Sequence, residues 1–401
     1  MLILSQYFWP ENFYINALAK TLAENGVQLE VLTGKPNYPA GDIFPGYRAA
    51  GCVSECHEGI PVHRIPLLAR GRGALRLALN YLSFILSGLL FAPWLLRRKR
   101  FDAVFVYAPS PILQAIPAIF VGWLKRVPVV LWVQDLWPES LVATGYVRNR
   151  LVLRLVDRVV RFIYRHVDLL LVQSEAFRAP VAAQAGGTPV VYYPNSVEDV
   201  FAQAGERGGS AAGDAEVGFS VLFAGNIGSA QAVEVIIGAA ERLRAYPEIS
   251  FVVVGDGSRR QWMIDELARR GLDNVRLPGK FPLAAMPAFM AQAAVLLVTL
   301  ADQEIFRLTI PSKVQAYLAA GRPIVAALNG EGARLVVESG AGLAAPAEDE
   351  AALAAALLNL YRMPHDEREA MGKRGRMYYE RHFAPGMLAE KLIDHLRSVR
   401  G

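Results

Sequence analysis

The chain has 401 residues, of which 53% are hydrophobic and 20% charged, and its formal net charge is +5. This composition excludes an intrinsically disordered protein, and the length predicts two domains rather than one. So small a net charge does not indicate nucleic acid as a partner. The two cysteines, Cys52 and Cys56, are too few for a disulfide framework or a zinc site and predict free thiols in a reducing compartment. The first residues lack the basic stretch and cleavage site of a secretory signal.

The first half of the chain alternates short apolar runs with helix-like segments. Residues 16–25 have helical periodicity and are closed by Gly26, which predicts a helix after the first strand. The apolar runs are rich in Val and Leu and apolar on both faces, as strands of a buried parallel sheet are. The predicted strands are residues 2–5, 27–33, 103–107, 127–133, 169–173 and 190–193.

A glycine-rich polar stretch, residues 202–216, predicts a surface loop at a domain junction. A second alternating series follows it and contains a predicted helix at residues 232–244. Two consecutive doubly wound domains are therefore the predicted architecture, with ligands at the carboxyl ends of the strands. The predicted strands of this half are residues 219–223, 251–254, 295–299 and 323–327.

Two of these strands run into glycine turns. The sequence FAGNIG occupies residues 223–228 and VGDGS occupies residues 254–258. Glycine lets the backbone approach a ligand closely, and a following helix N-terminus attracts anions. Such turns also occur in most α/β folds, so either one alone leaves a purely structural role open. No G-x-G-x-x-G follows a strand, which argues against a dinucleotide-dependent dehydrogenase.

A more specific signal lies in RLTIPSKVQAYLAAGRP, residues 307–323. Pro311 suits a first helical position and Gly321 a helix end, which places Ser312 and Lys313 in the first helical turn. A lysine there can bind a diphosphate that the helix dipole also attracts. The alternative is a solvated surface lysine.

Taken in order, these motifs resemble glycosyltransferase family 4. The nucleotide-domain matches include FAGNIGS, VVVGDG and FRLTIPSKVQAYLAAGRPIVAAL. The acceptor-domain matches are SQYFWPENFYINALAKTLAENG, VVLWVQDLWPES, LLLVQSEAFR and YYPNSVE. The chain resembles in particular a bacterial subgroup of surface-polysaccharide transferases that includes the WbuB-type L-fucosamine transferases.

The resemblance implies an α/β GT-B fold, in which two Rossmann-like doubly wound domains face a central cleft. It implies an acceptor-binding domain at residues 1–197, a nucleotide-sugar-binding domain at 217–380, and a helix at 381–401 that crosses back to the first domain. No cofactor and no metal are implied, because basic groups and a helix dipole stabilise the leaving diphosphate.

The implied reaction is retaining transfer of a hexose or N-acetylaminosugar from a nucleotide-sugar. The donor is expected to be UDP-linked, UDP-N-acetyl-L-fucosamine being one candidate. The implied acceptor is linked to polyprenyl diphosphate, in O-antigen, capsule or exopolysaccharide synthesis. The implied location is the cytoplasmic face of the bacterial inner membrane, peripheral or monotopic.

The sequence departs from the family where many members carry two glutamates around the helix that starts near Ser312. Arg307 and Gln315 stand at those positions. Gln315 can still bond a ribose hydroxyl, whereas Arg307 can only meet the sugar or the phosphates. Lys280 and Phe281 are expected against the base, although Lys280 also reads as an exposed loop cation. The donor contacts implied by the resemblance are Asn12, Gly225, Asn226, Ile227, Lys280, Phe281, Thr309, Pro311, Ser312, Gln315, Glu331 and Gly332, with Lys313 and Arg307 as catalytic groups.

Asp135, just beyond the predicted strand 127–133, is the catalytic candidate on the acceptor side. Its carboxylate can position or deprotonate the acceptor hydroxyl, or it can cap the turn Asp135-Leu136-Trp137-Pro138. The expected acceptor contacts are Glu11, Glu139 and Glu175. Glu175 is alternatively a cap of the next helix.

Residues 77–96 contain no charged side chain and are followed by Arg97-Arg98-Lys99-Arg100. The segment is just long enough to span a bilayer, but Asn80 and the need to keep both flanks in one domain favour a segment that dips into one leaflet. Its basic flanks then lie on anionic headgroups. An ordinary buried helix is the alternative.

Arginines recur at spacings of three and four from Arg150 to Arg165, which puts a basic stripe on one helix face. The stripe would attract an anionic membrane or a lipid diphosphate. The alternative is an ordinary solvated face.

The leading hypothesis is therefore a membrane-associated glycosyltransferase. A soluble GT-B enzyme such as a nucleotide-sugar epimerase and a non-catalytic membrane scaffold are the alternatives. Lipid association distinguishes the first from the second, and saturable UDP binding distinguishes it from the third.

Overall fold

The computed structural model describes residues 1–71, 73–143, 149–197, 200–201 and 218–399. The chain divides into two compact units. The N-terminal unit comprises Met1–Asn195 and Pro385–Gly401, and the C-terminal unit comprises Ser196–Ala384. The predicted junction loop, residues 202–216, lies outside the described residues.

The N-terminal unit is built on an eight-stranded sheet of order β3-β4-β2-β1-β5-β6-β7-β8. Neighbouring strands are parallel except β3 and β4, which form an antiparallel hairpin. The central strands are buried along their whole length, which explains their uninterrupted apolar sequences. The strands are β1 (Leu2–Leu4), β2 (Glu30–Thr33), β3 (Val53–His57), β4 (Ile60–Arg64), β5 (Val104–Ala108), β6 (Val129–Val133), β7 (Leu169–Val172) and β8 (Val190–Tyr192).

Helices cover this sheet. They span Tyr14–Glu24, Ala74–Leu95, Ala115–Lys125, Glu139–Ala143, Arg150–Arg165 and Arg178–Ala185. The last helix of the chain, Pro385–Ser398, also belongs to the N-terminal unit. Its Leu388 and Leu392 are completely buried, and the Tyr193 hydroxyl donates a 2.9 Å hydrogen bond to the Leu388 carbonyl. This helix therefore completes the core that β1 and the first helix begin.

The C-terminal unit has a six-stranded parallel sheet of order β11-β10-β9-β12-β13-β14. An apolar core lies on each face of it. The strands are β9 (Ser220–Ala224), β10 (Ser250–Val254), β11 (Val275–Gly279), β12 (Val295–Thr299), β13 (Ile324–Ala327) and β14 (Gly342–Ala345). The helices span Glu234–Arg242, Arg260–Arg270, Met286–Gln292, Glu304–Leu308, Ser312–Ala320, Glu331–Glu338, Glu350–Arg362 and His365–His382.

In the N-terminal unit, the helix predicted from residue 16 begins at Tyr14, and the one predicted from residue 381 begins at Pro385. In the C-terminal unit, two helix starts differ from the sequence prediction. The helix predicted from residue 232 begins at Glu234, after a short 3₁₀ turn at Ser229–Gln231, because Ala232 has a left-handed backbone conformation. Pro311 is not the first helical residue but the residue before it, with an extended ψ of 134°. Ser312 and Lys313 do lie in the first turn, and Gly321 ends the helix with a φ of +68°.

The apolar helix Ala74–Leu95 has one face on the protein and one exposed face. By length and composition this helix could cross a membrane. On the inner face, the buried Asn80 amide accepts from Gln6 Nε2 at 2.7 Å and donates to the Leu68 carbonyl at 2.6 Å. Asn80, the polar residue within the apolar segment, thus joins this helix to Gln6 and Leu68 of the same unit. The outer face exposes Leu75, Leu79, Leu82, Leu86, Leu90 and Trp94.

Candidate active site

The two glycine turns of the C-terminal unit touch each other at the carboxyl ends of β9 and β10. The Gly225 N–H donates to the Val254 carbonyl at 2.8 Å, and the Ile227 N–H donates to the Asp256 carbonyl at 2.8 Å. Gly225 has a φ of +138°, and a Cβ placed on Gly255 would lie 1.8 Å from the Gly225 oxygen. Glycine is therefore required here for backbone contact between the turns as well as for conformation. Ile227 is buried, whereas Asn226 is exposed and donates to Gln231 Oε1 at 3.1 Å.

Lys313 joins this turn from the helix Ser312–Ala320. Its Nζ lies 3.7 Å from the centroid of the Phe223 ring. A Cβ on Gly225 would lie 2.5 Å from Lys313 Cε and 2.9 Å from Nζ. The structure thus brings together the two features that the sequence analysis singled out separately.

The Lys313 ammonium is buried and has no hydrogen-bond partner among the described residues. Desolvation lowers the pKa of Lys313 to about 7, because burial penalises the charged form. A cation in this position gains most from an anion that supplies the missing hydrogen bonds. Ser312, beside it at the helix start, is exposed.

Tyr317 is a functional neighbour that the sequence analysis missed. It follows Lys313 by four residues, so both side chains lie on the same face of the helix. Its hydroxyl accepts the Ala224 N–H at 3.1 Å, which holds the end of β9 beside Lys313. The i, i+4 spacing was the signal that could have found it.

The starts of two helices meet at Pro311 and Gly332. A Cβ on Gly332 would lie 3.0 Å from Pro311 Cδ, so glycine allows the helix Glu331–Glu338 to approach. Gly330, just before it, has a φ of +80°, and a Cβ there would lie 1.9 Å from the Arg307 carbonyl oxygen. Glu331 itself forms an ion pair with Arg334 at 2.9 Å.

Arg307 is exposed and forms a bidentate ion pair with Asp302. Its Nε and Nη2 donate to the two carboxylate oxygens of Asp302, each at 2.8 Å. Asn329 Nδ2 also donates to Asp302 Oδ1, at 3.0 Å. The Asp302 carboxylate thus neutralises Arg307, a pairing that the sequence did not predict.

The other residues predicted to contact the nucleotide-sugar differ in their accessibility to a ligand. Gln315 is completely buried, so a bond to a ribose hydroxyl would require a rearrangement of the helix surroundings. The Thr309 hydroxyl donates to the Ile305 carbonyl at 2.8 Å. Lys280 and Phe281 are exposed beyond β11, as the loop prediction required, and the Phe281 ring packs edge-on against Phe289 at 4.9 Å.

In the N-terminal unit, Asp135 lies two residues beyond the end of β6, as expected. Burial raises the pKa of its carboxyl group to about 6. A carboxylate with this pKa is mostly ionised at neutral pH yet basic enough to accept a proton. Glu139 is exposed at the first position of the helix Glu139–Ala143.

Glu11 is almost completely buried, which the sequence analysis did not predict for an acceptor contact. Its Oε1 accepts the N–H groups of Asn37 and Tyr38 at 2.8 and 2.7 Å. Burial raises the pKa of Glu11 to about 7. The side chain therefore links the loop after β1 to the loop after β2. The neighbouring Asn12 is exposed.

Glu175 is exposed in the short 3₁₀ turn Glu175–Phe177. Its carboxylate accepts from Arg178 Nη1 at 3.3 Å. The expected cap of the next helix is thus replaced by an ion pair with a side chain one turn later. Within the described residues, no group of three His, Cys, Asp or Glu side chains is placed to hold a metal ion.

Family models match both units. The model described as "Glycosyl transferase 4-like domain" matches residues 12–196, and the one described as "Glycosyl transferases group 1" matches residues 218–363. The chain is a glycosyltransferase. The predicted fold and enzyme class are thereby confirmed. The resemblance to glycosyltransferase family 4 is confirmed at the level of the two domains, and the WbuB-type subgroup stays a prediction.

Two curated relatives of this glycosyltransferase come from bacteria. WbjE of Pseudomonas aeruginosa, a glycosyltransferase by name, is 29% identical over 311 residues, which cover 75% of this chain and 74% of WbjE. WcaI of Escherichia coli K12, by name a colanic acid biosynthesis glycosyl transferase, is 26% identical over 336 residues, 77% of each chain.

Solved structures show that this glycosyltransferase has the GT-B fold. A trehalose-6-phosphate protein of E. coli bound with UDP-2-fluoro glucose superposes with a TM-score of 0.73 at 14% identity, covering 98% of each chain. Sucrose-phosphate synthase of Thermosynechococcus elongatus superposes with a TM-score of 0.70 at 17% identity, covering 99% of this chain and 98% of the synthase. HepE of Anabaena in complex with UDP gives 0.67 at 13% identity, covering 99% of each chain.

Proposed function

We propose that this glycosyltransferase transfers a sugar, with retention of configuration, from a UDP-sugar to a polyprenyl-diphosphate-linked acceptor in bacterial surface-polysaccharide assembly. The observation that carries the donor half is the buried Lys313 ammonium beneath Gly225. The UDP in the structures of HepE and of the E. coli trehalose-6-phosphate protein supports this choice of nucleotide. The name of WcaI supports polysaccharide synthesis. UDP-N-acetyl-L-fucosamine is the first donor to test.

Lys313 holds the departing diphosphate in this proposal. With a pKa of about 7, the ligand-free lysine is only partly charged at neutral pH. An incoming diphosphate favours the protonated form, and the N-terminus of the helix Ser312–Ala320 adds partial positive charge. Because Gly225 has no side chain, the Lys313 ammonium can lie directly against the turn. We propose that these groups take the place of a metal ion.

Arg307 contributes to donor binding only after it exchanges its partner. A phosphate or an acidic sugar would have to compete with the two bonds to Asp302. Where family members commonly present a glutamate to the sugar, this enzyme thus presents an arginine and carboxylate pair. We propose that the pair selects an unusual deoxy or N-acetylated sugar.

Asp135 positions the acceptor hydroxyl and receives its proton. Its pKa of about 6 suits a group that is ionised at neutral pH but can be protonated during transfer. We propose that the leaving phosphate assists from the same face of the sugar, a route that gives retention of configuration. Asn12 remains the proposed donor to the diphosphate, and Glu139 and Glu175 remain proposed acceptor contacts because they are exposed. For Glu11, we propose a positioning role through Asn37 and Tyr38.

We propose that the enzyme acts at the inner membrane, where the proposed acceptor lipid would lie. The helix Ala74–Leu95 exposes an apolar face, and four basic residues follow it at positions 97–100. Arg150, Arg154 and Arg158 are exposed on the helix Arg150–Arg165. An apolar surface bordered by cations suits insertion into one leaflet of an anionic membrane.

A panel of nucleotide-sugars with a short lipid-diphosphate acceptor tests the proposal. Transfer from one UDP-sugar is expected, and Lys313→Ala should abolish saturable UDP binding. Conversion of the nucleotide-sugar without consumption of acceptor would favour an epimerase. UDP binding without any turnover would favour a scaffold. Either result, or turnover undiminished in Lys313→Ala, contradicts the proposed function.

A further inference from the structure

An apolar groove crosses the N-terminal unit on the side that carries the helix Ala115–Lys125. Its volume is about 750 Å³, within the usual range for small-molecule sites. Ile116, Ile119, Phe120 and Trp123 line it, spaced so that they form one stripe along the helix. Leu89 and Phe162, from the two neighbouring helices, contribute to its walls.

The groove opens at the edge of the sheet opposite to the proposed reaction site. Arg126, Val127 and Pro128 line it, and these residues lead into the first residue of β6. Asp135 follows the other end of the same strand. A five-residue strand spans about 17 Å, so the groove mouth lies well away from the acceptor hydroxyl. The groove is therefore not a subsite for the reacting sugar.

Arg126 lines the mouth of the groove, and a basic segment of the chain lies near it. Lys125 Nζ donates to the carbonyls of Leu96, Arg97 and Lys99 at 2.6, 3.3 and 2.9 Å. These bonds hold the basic segment 97–100 beside the end of the groove helix. Arg126 is exposed and lines the groove directly.

One carboxylate, that of Asp168, is found among the described lining residues. Its Oδ2 accepts the Val129 N–H at 2.7 Å, so its charge is engaged with the backbone. Lys99 of the basic segment is paired with Glu30 at 3.0 Å. Arg126 therefore supplies the positive charge at the mouth, and the floor favours hydrocarbon.

We propose that this groove binds an acyl chain of an anionic phospholipid, with the lipid phosphate at Arg126. The charge at the mouth selects an anionic headgroup, and the apolar stripe receives the chain. Leu89, in the groove wall, belongs to the helix Ala74–Leu95, which also exposes Leu86, Leu90 and Trp94. A bound phospholipid would anchor the enzyme independently of the sugar acceptor.

Dioctanoyl phosphatidylglycerol below its critical micelle concentration is the probe, and dioctanoyl phosphatidylcholine is the matched neutral lipid. Trp123 is 73% exposed, so binding should shift tryptophan emission to the blue. Calorimetry should show one saturable site for phosphatidylglycerol, with phosphatidylcholine at least fivefold weaker for lack of net negative charge, since about 1 kcal/mol per basic residue corresponds to that factor. Equal binding of the two lipids, or partition without saturation, overturns the proposal. Geranyl phosphate that binds more tightly than phosphatidylglycerol also overturns it in favour of an isoprenoid.

Two variants and a control locate the site. Ile119→Phe fills the groove and should weaken phosphatidylglycerol about tenfold, as overpacking typically does. Arg126→Gln, which removes the positive charge but keeps a polar side chain at this left-handed position, should weaken phosphatidylglycerol binding about fivefold. Val337→Phe, at a 57% exposed site of the C-terminal unit, should change nothing. Wild-type lipid affinity in both groove variants contradicts the proposal.

UDP titration of the same variants keeps the two proposals separate. Each groove variant should bind UDP like wild type, because Ile119 and Arg126 lie in the other unit from Lys313. If no variant binds UDP, and wild type does not bind it either, the proposed donor site is wrong. The lipid proposal would then still be decided by the lipid titrations.

Discussion

Replacing Lys313 by methionine tests the electrostatic argument directly. Methionine keeps the length and apolar stem of the side chain but removes the ammonium that lies over the Phe223 ring. Burial lowers the pKa of Lys313 from 10.5 to about 7, which at pH 7 or below corresponds to at most about 5 kcal/mol of destabilisation of the free enzyme. Lys313→Met should therefore be more stable than wild type in the absence of ligand, while losing UDP binding.

The lowered pKa of Lys313 also predicts how stability and UDP affinity change with pH. Between pH 7 and 10.5 the unfolded chain keeps the Lys313 proton that the folded enzyme releases, so the stability of wild type rises with pH across this window. The advantage of Lys313→Met should be largest near pH 6 and shrink toward pH 10. Wild-type UDP affinity should fall above pH 7, by up to about tenfold per pH unit, because binding then requires proton uptake.

Urea denaturation at pH 6.5, 8 and 9.5, with UDP calorimetry on the same samples, measures both effects. Lys373→Met is the matched control, since Lys373 is exposed and only paired with Glu369 at 2.9 Å. That exposed pair is worth less than about 1 kcal/mol, so the control should behave like wild type. A Lys313→Met enzyme that is no more stable than wild type at pH 6.5, or whose advantage is the same at every pH, would refute the reasoning.

Three further predictions concern other parts of the chain. Gly330→Ala should lower the free energy of unfolding by about 2–4 kcal/mol, because the new Cβ would meet the Arg307 oxygen at 1.9 Å; Gly26→Ala, at the same φ of +80° but in open space, should cost only about 1 kcal/mol in the same denaturation assay. Glu11→Gln should flatten the stability profile between pH 4.5 and 7, where wild type loses stability as pH rises because the unfolded chain releases the Glu11 proton that the folded enzyme retains; an unchanged slope in urea titrations would contradict this. Leu86→Glu should reduce sedimentation with phosphatidylglycerol vesicles at least about tenfold without changing the melting temperature, since Leu86 is 67% exposed; undiminished sedimentation would show that this face does not enter the membrane.

The central strands could be predicted from the sequence because burial on both faces leaves uninterrupted apolar runs. β5, β6 and β12 are of this kind. Four strands were missed, and three of them, β3, β11 and β14, lie at sheet edges. Strand β3 has the mostly polar sequence VSECH, β11 contains Pro278, and β14 has the sequence GLAA, in which three of the four residues are small. An edge strand needs neither a second apolar face nor every backbone donor, so its sequence carries little signal.

Site residues could be predicted where their role depends only on their position within one helix or strand. Lys313 belongs to a helix start that proline and glycine mark in the sequence. The pairing of Arg307 with Asp302 depends instead on a loop conformation that no periodicity encodes. The burial of Gln315 and Glu11 likewise follows from tertiary packing, which the helical and loop assignments of these residues do not specify.

The position of the last helix has a consequence for how the protein is made. Pro385–Ser398 supplies Leu388 and Leu392 to the same apolar core as Ile3 and Ile15, at the opposite end of the chain. During translation, the last helix of the N-terminal unit is therefore synthesised only after the whole C-terminal unit. The early unit must wait with an open core, so expressing residues 1–195 alone should yield an aggregating fragment, and a bulky fusion that displaces the tail should harm the region translated first.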